Sequence, residues 1–109
     1  MNELKFGDIV LIRFPYTNGV SVKKRPALVI FDSKDGDVIV CRVTSKLYNT
    51  SYDITLRNWQ KFGLRLPSVI RIHKLASLEK ELIESKMGQL DKPVQILVKR
   101  ALRGLLLQK

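Results

Sequence analysis

The sequence predicts a small, mainly β fold closed by one C-terminal helix, and three observations carry that reading. β-branched or alternating runs recur along most of the chain, turn residues separate them, and sustained helical periodicity falls only at the end. With 109 residues, 45% of them hydrophobic and 28% charged, the chain has the size of one domain (1–109) built around one core.

Residues 7–14 form a β-branched run ended by Pro15 and read as a buried first strand. Residues 16–24 contain the Asn18-Gly19 turn signal and little apolar periodicity, so they read as a long exposed loop, a kind of segment that often carries function. Pro26 then stands at the entry to a second strand, residues 27–31, where its missing N–H does little harm. Asp32-Ser33-Lys34-Asp35-Gly36-Asp37 makes a hairpin turn. In residues 37–46, Val38, Val40, Arg42 and Thr44 alternate with Ile39, Cys41, Val43 and Ser45, which is the period of a third strand with Thr44 and Ser45 at its end. Residues 52–56 and 68–75 are further strand candidates, joined by a polar linker holding Trp59, Phe62 and Gly63. Ser77 is placed to cap a brief helix, with Glu79 and Glu81 near its positive end, and residues 85–90 read as strand-like or irregular with Gly88 as the turn.

The last element is the clearest. Pro93 suits a first turn, and Val94, Leu97, Val98, Ala101, Leu102 and Leu105 follow the stripe of an amphipathic helix. Leu106 and Leu107 fall off that stripe and suit a subunit contact or a frayed end equally. Five or more short strands and one closing helix make a strongly curved small barrel the economical architecture.

Lys and Arg number 20 against 10 Asp and Glu, a formal net charge of +10 spread over the whole chain. A folded surface with that excess attracts polyanions, nucleic acid first and an acidic protein second. No apolar run approaches the roughly 20 residues of a membrane helix and no secretory signal opens the chain, so a cytoplasmic protein without membrane association is expected. Cys41, the single cysteine, excludes an internal disulfide and suits a core thiol. His73 is the single histidine and no metalloprotease-like pair exists, so no metal and no cofactor are expected. The acidic turn at residues 32–37 fails the calcium-loop spacing, and no Gly-x-Ser-x-Gly elbow supports a serine nucleophile.

What remains is Arg25, Thr44, Ser45 and the lysines near them, a set that binds phosphate but supplies no nucleophile. RNA carries its own nucleophile in the ribose 2′-hydroxyl. A site that only orients the chain and stabilises phosphorane charge therefore cleaves it without metal. Arg25 suits the electrostatic part, since a guanidinium matches phosphate oxygens in a fork and stays charged, and Thr44 suits a hydroxyl donor.

The order of the motifs is more specific than any one of them. Gly7-Asp8-Ile9-Val10-Leu11, a loop, Lys24-Arg25-Pro26-Ala27-Leu28-Val29-Ile30, Val43-Thr44-Ser45, then Ser68-Val69-Ile70-Arg71 with Leu75-Ala76-Ser77-Leu78-Glu79-Lys80 closely resembles the MazF/PemK (Kid) toxin family over nearly the whole chain. The resemblance implies an SH3-like small barrel of the MazF/CcdB type with a C-terminal helix, and a homodimer. It also implies cleavage of single-stranded RNA, as mRNA, to 2′,3′-cyclic phosphate and 5′-hydroxyl ends. An antitoxin whose acidic, flexible segment lies over the RNA groove would suit the positive charge. By position, the family's catalytic arginine falls on Arg25 and its threonine on Thr44, with Ser45 beside it. Residues 16–24 correspond to the family's mobile lid, with Tyr16, Lys23 and Lys24 against phosphate or base, and Lys46 and Lys74 are further RNA-binding candidates.

The chain departs from the best-known members at His73-Lys74-Leu75-Ala76-Ser77, a region thought to help read bases, so no member's cleavage motif is carried over. Two other readings compete. A gyrase poison on the same barrel, as in the CcdB relatives, needs a C-terminal tryptophan, whereas Trp59 is the only one here. A non-catalytic SH3-like module binding nucleic acid or protein needs only the shape, the charge and the aromatics, and the joint presence of Arg25 and Thr44 weighs against it.

Overall fold

The computed structural model describes residues 3–15 and 22–108. These form β1 (Asp8–Pro15), β2 (Val22–Asp32), β3 (Asp37–Thr44), β4 (Asp53–Leu56), β5 (Ser68–Glu79), a 3-10 turn (Lys80–Leu82), β6 (Ile83–Gln89) and α1 (Lys92–Leu106). The strands pair antiparallel in one six-stranded sheet of order β4-β5-β3-β2-β1-β6. Because β4 and β6 do not pair with each other, the sheet is not closed, and the result is a small barrel-like fold.

Both faces of the sheet are apolar, which is why it curls. Successive residues of β1 point to opposite sides. Ile9 joins Leu28, Phe62, Ile70 and Val98 in a core beneath α1, whereas Val10 and Ile12 join Val29, Val38 and Ile83 in a second one. Strand β3 serves both, with Val38 and Val40 in the second core and Cys41 and Val43 in the first. The helix is anchored by Asp91, whose carboxylate accepts a 3.2 Å hydrogen bond from the Val94 N–H, with Pro93 in the first turn. Val98 is fully buried, and Val94, Ala101, Leu102 and Leu105 pack around it.

Several local expectations are corrected by pairing. Lys23 and Lys24 belong to β2 and not to a loop, because the β1 ladder continues to Pro15↔Val22. Pro26 lies inside β2, opposite Leu11, at the point where the ladder to β3 has ended at Ala27↔Arg42. Only one neighbouring strand flanks it there, so the missing donor is tolerated. Ser77 is not a cap but a residue of β5, held in the ladder opposite Ile39, and the brief helix is one 3-10 turn whose cap residue Glu79 makes no side-chain cap bond. Leu97 is rotated out of the helical stripe and exposed, like Ile96, Leu106 and Leu107.

Gly88 is a residue of β6, not a turn, and packing explains it. A Cβ there would lie 2.2 Å from the Phe62 carbonyl oxygen, and one at Gly63, whose φ is +86°, would lie 2.0 Å from that of Met87. Only glycine on both sides lets these backbones touch. The contact holds the segment after β4 against β6. It also shows that the linker is less polar than its composition suggests, since Phe62 and Leu64 are buried in the first core.

Candidate nucleic-acid groove

A groove of about 630 Å³ opens where β2 and β3 reach the 63–66 segment and β6. Lys24, Arg25, Thr44 and Ser45 all line it, so residues some twenty positions apart in sequence meet at one place. Arg25 stands on β2 opposite Ile12 and is exposed, and Thr44 ends β3 opposite Val69. The Thr44 hydroxyl oxygen accepts from the Lys46 N–H at 3.2 Å, which leaves its own proton free to donate outward. Gly63 and Met87, fixed by the backbone contact, form part of the wall together with Leu64.

Two further arginines and one acid line the same groove. Arg42 projects from β3 two residues before Thr44, Arg65 comes from the wall, and Glu84 comes from β6. The alternation that put Arg42 and Thr44 on one face carried the signal for Arg42. Nothing local marks Arg65 or Glu84, which arrive by tertiary contact. Lys24 pairs with Glu84 at 3.0 Å, whereas Arg25, Arg42 and Arg65 have no ion pair among the described residues.

Behind the groove lies an arginine whose charge is compensated. Arg71, opposite Arg42 in the ladder, is buried; its Nε donates to Asp53 Oδ1 at 2.9 Å and its guanidinium lies 3.5 Å from the centre of the Tyr48 ring. Burial opposes ionisation of Asp53, but hydrogen bonds from the Thr50 hydroxyl and N–H, together with Arg71, outweigh it and hold this carboxyl below its usual range. The Tyr48 hydroxyl is likewise drawn below its usual value, first by hydrogen bonding with Lys46 and then, against desolvation, by the charges of Lys46, Arg42 and Arg71.

Other candidates fall elsewhere. Lys23 is exposed opposite Phe14, Lys46 lies beside the Tyr48 ring, and neither lines the groove. Lys74 is exposed in the 72–74 stretch, where β5 loses its β3 partners, and it too lies outside the lining. For Lys74 the cause is the register break between Arg71 and Leu75, which takes the residues between them out of the ladder with β3. Tyr16 lies outside the described residues.

His73 is half-buried with its ring 5.0 Å from that of Tyr52, and its Nδ1 has no hydrogen-bond partner among the described residues. Cys41 is buried, and burial pushes its thiol up to about 12, so it is no thiolate nucleophile. Among the described residues no group of three or more His, Cys, Asp and Glu is placed to hold a metal ion. Unpaired guanidinium groups and a free hydroxyl proton in one groove are suited to gripping a phosphodiester.

Sheet order, covering helix and groove define a class of small β-rich, barrel-like proteins with a cleft lined mainly by basic and apolar side chains. Residues 5–106 match the family described as PemK-like, MazF-like toxin of type II toxin–antitoxin system, and the chain belongs to that family. Its fold is similar to MazE–MazF (Form-II) from Deinococcus radiodurans, with a TM-score of 0.80 at 23% identity over 97% of each chain. It is also similar to an endoribonuclease in complex with its cognate antitoxin from a mycobacterial species, with a TM-score of 0.75 at 15% identity over 98% of this chain and 99% of that one. The Mycobacterium tuberculosis toxin MazF-mt6 gives a TM-score of 0.75 at 16% identity, covering 91% and 95%. No curated protein matches the sequence. Among the described residues no helix is long and apolar enough to cross a membrane.

Proposed function

We propose that this chain is a metal-independent endoribonuclease that cleaves single-stranded RNA, mRNA included, as the toxin of a type II toxin–antitoxin pair. The observation that carries the reading is the meeting of Arg25 and Thr44 in one groove with Arg42 and Arg65, all three arginines without ion pairs among the described residues. In this reading the RNA lies along the groove with a phosphate against Arg25. The ribose 2′-oxygen attacks the adjacent phosphorus, its proton passes to water, and the P–O5′ bond breaks as the departing oxygen takes up a proton. The products are a 2′,3′-cyclic phosphate and a 5′-hydroxyl. Arg25 stays protonated throughout and stabilises the phosphorane charge, while the Thr44 hydroxyl donates to the same oxygens. Ser45 and Lys24, also in the lining, hold neighbouring backbone, and Lys23, Lys46 and Lys74 act only as outer attraction for the strand.

The excess of cations supports an acidic antitoxin segment over the same groove, as does the likeness to a mycobacterial endoribonuclease solved with its antitoxin. Exposed Ile96, Leu97 and Leu106 on α1, with Leu107 at its C-cap, support a homodimer of this single unit, acting in the cytoplasm.

The test is incubation of the purified protein with a long single-stranded RNA in excess EDTA beside Arg25→Ala. Discrete fragments with 5′-hydroxyl ends, lost in the variant, are expected. Intact RNA with both proteins would turn the reading toward a binding module.

A further inference from the structure

A carboxylate stands among the groove's cations, and phosphate binding gives it no purpose. Glu84 is the one acidic residue in the lining among the described residues, and it repels a phosphodiester. Its position is built by the sheet. β6 pairs with β1 through Leu11↔Ser85 and then Ile12↔Ile83, so Glu84 is an extra residue with no partner on β1. Such bulges re-aim side chains beside functional sites. Here the side chain reaches across β1 to β2, where Lys24 Nζ lies 3.0 Å from Oε1. That contact uses one of roughly four lone-pair positions of an ionised carboxylate, so it orients the group and leaves acceptors for a ligand.

We infer that Glu84 determines specificity by accepting the paired N–H donors of a guanine in the bound strand, an inference that rests on the groove being an RNA-cleaving site. Single-stranded RNA leaves Watson–Crick edges free, and an acceptor-only group requires donors. Guanine presents N1–H and N2–H side by side, the arrangement that matches both carboxylate oxygens as a guanidinium fork does. Uracil offers one N–H between two carbonyls that a carboxylate repels, and adenine and cytosine each offer an amino group beside an acceptor nitrogen. Lys24 offsets the negative charge, so that a neighbouring phosphate is still tolerated on the Arg25 side.

Wild type, Glu84→Gln and Glu84→Ala are incubated with a randomised single-stranded RNA in excess EDTA, the fragment ends are sequenced, and folding is followed by circular dichroism. Wild-type fragments are expected to share a guanine at a fixed offset from the cut, preferred by roughly ten-fold or more, and the folded variants to cut without that preference. The near-isosteric Glu84→Gln decides if Glu84→Ala does not fold. The inference is overturned if wild-type cuts show no guanine at a fixed offset, or if the folded variants keep the same guanine. It is overturned too if folded variants lose cleavage at all sites alike, which makes Glu84 part of the chemistry. Absence of cleavage by wild type itself defeats the ribonuclease reading, and this inference with it.

Discussion

Arg25 and Arg71 stand on the two strands that flank β3, and the fold puts the same side chain to opposite uses. Arg71 is buried, bonded to Asp53 and stacked on Tyr48, so its charge is spent inside the protein. Arg25 is exposed in the groove and has no carboxylate partner among the described residues. A cation is available to a ligand only where the fold has left it uncompensated, and a buried pair broken on one side leaves an expensive charge behind.

The sharpest way to break this contrast is to remove each arginine in turn. Arg25→Ala should lower RNA cleavage by about 10²- to 10³-fold, the usual loss for a preorganised donor, with a melting temperature close to wild type. Arg71→Ala should do the reverse. Urea titration should show a loss of about 2–3 kcal/mol, below the full cost of breaking a buried pair because Thr50 still bonds Asp53, while cleavage per folded molecule falls less than about ten-fold. Arg42→Ala, opposite Arg71 but exposed, should behave as a weaker Arg25. Binding of a single-stranded RNA should lose about one unit of salt slope, with stability within about 0.5 kcal/mol.

The smallest effect is in acid. Asp53 ionises more readily folded than unfolded, so its contribution is present above the unfolded carboxylate value and is lost as pH falls through the folded one. Below about pH 4 the stability gap between wild type and Arg71→Ala should therefore narrow. A gap that stays constant to about pH 2 would mean that Asp53 and Arg71 are not coupled.

The sequence singles out Arg25 but does not show what Arg71 does. Arg25 was legible because Lys24-Arg25-Pro26 and Val43-Thr44-Ser45 recur in order, and the structure brings both into the groove. Arg71 looks equally basic, and the compensation of its charge depends on Asp53, 18 positions away. Local periodicity was enough for β1, β3 and the buried stripe of α1, since each buries a face set by its own repeat. It was not enough for the start of β2, the reach of β5 or Gly88, where a neighbouring backbone decides. Glu84 is the extreme case: its place in the groove follows from a single skipped pairing between β6 and β1.

The measurement that goes most directly to the proposed chemistry is cleavage, in excess EDTA, of two oligonucleotides that differ only in one 2′-deoxyribose at the mapped cut. The expected result is cutting of the all-RNA strand, with 2′,3′-cyclic phosphate and 5′-hydroxyl ends, and no cutting at the deoxy position. Equal cutting of both strands would contradict the ribose 2′-hydroxyl as nucleophile, and with it the role given to Arg25.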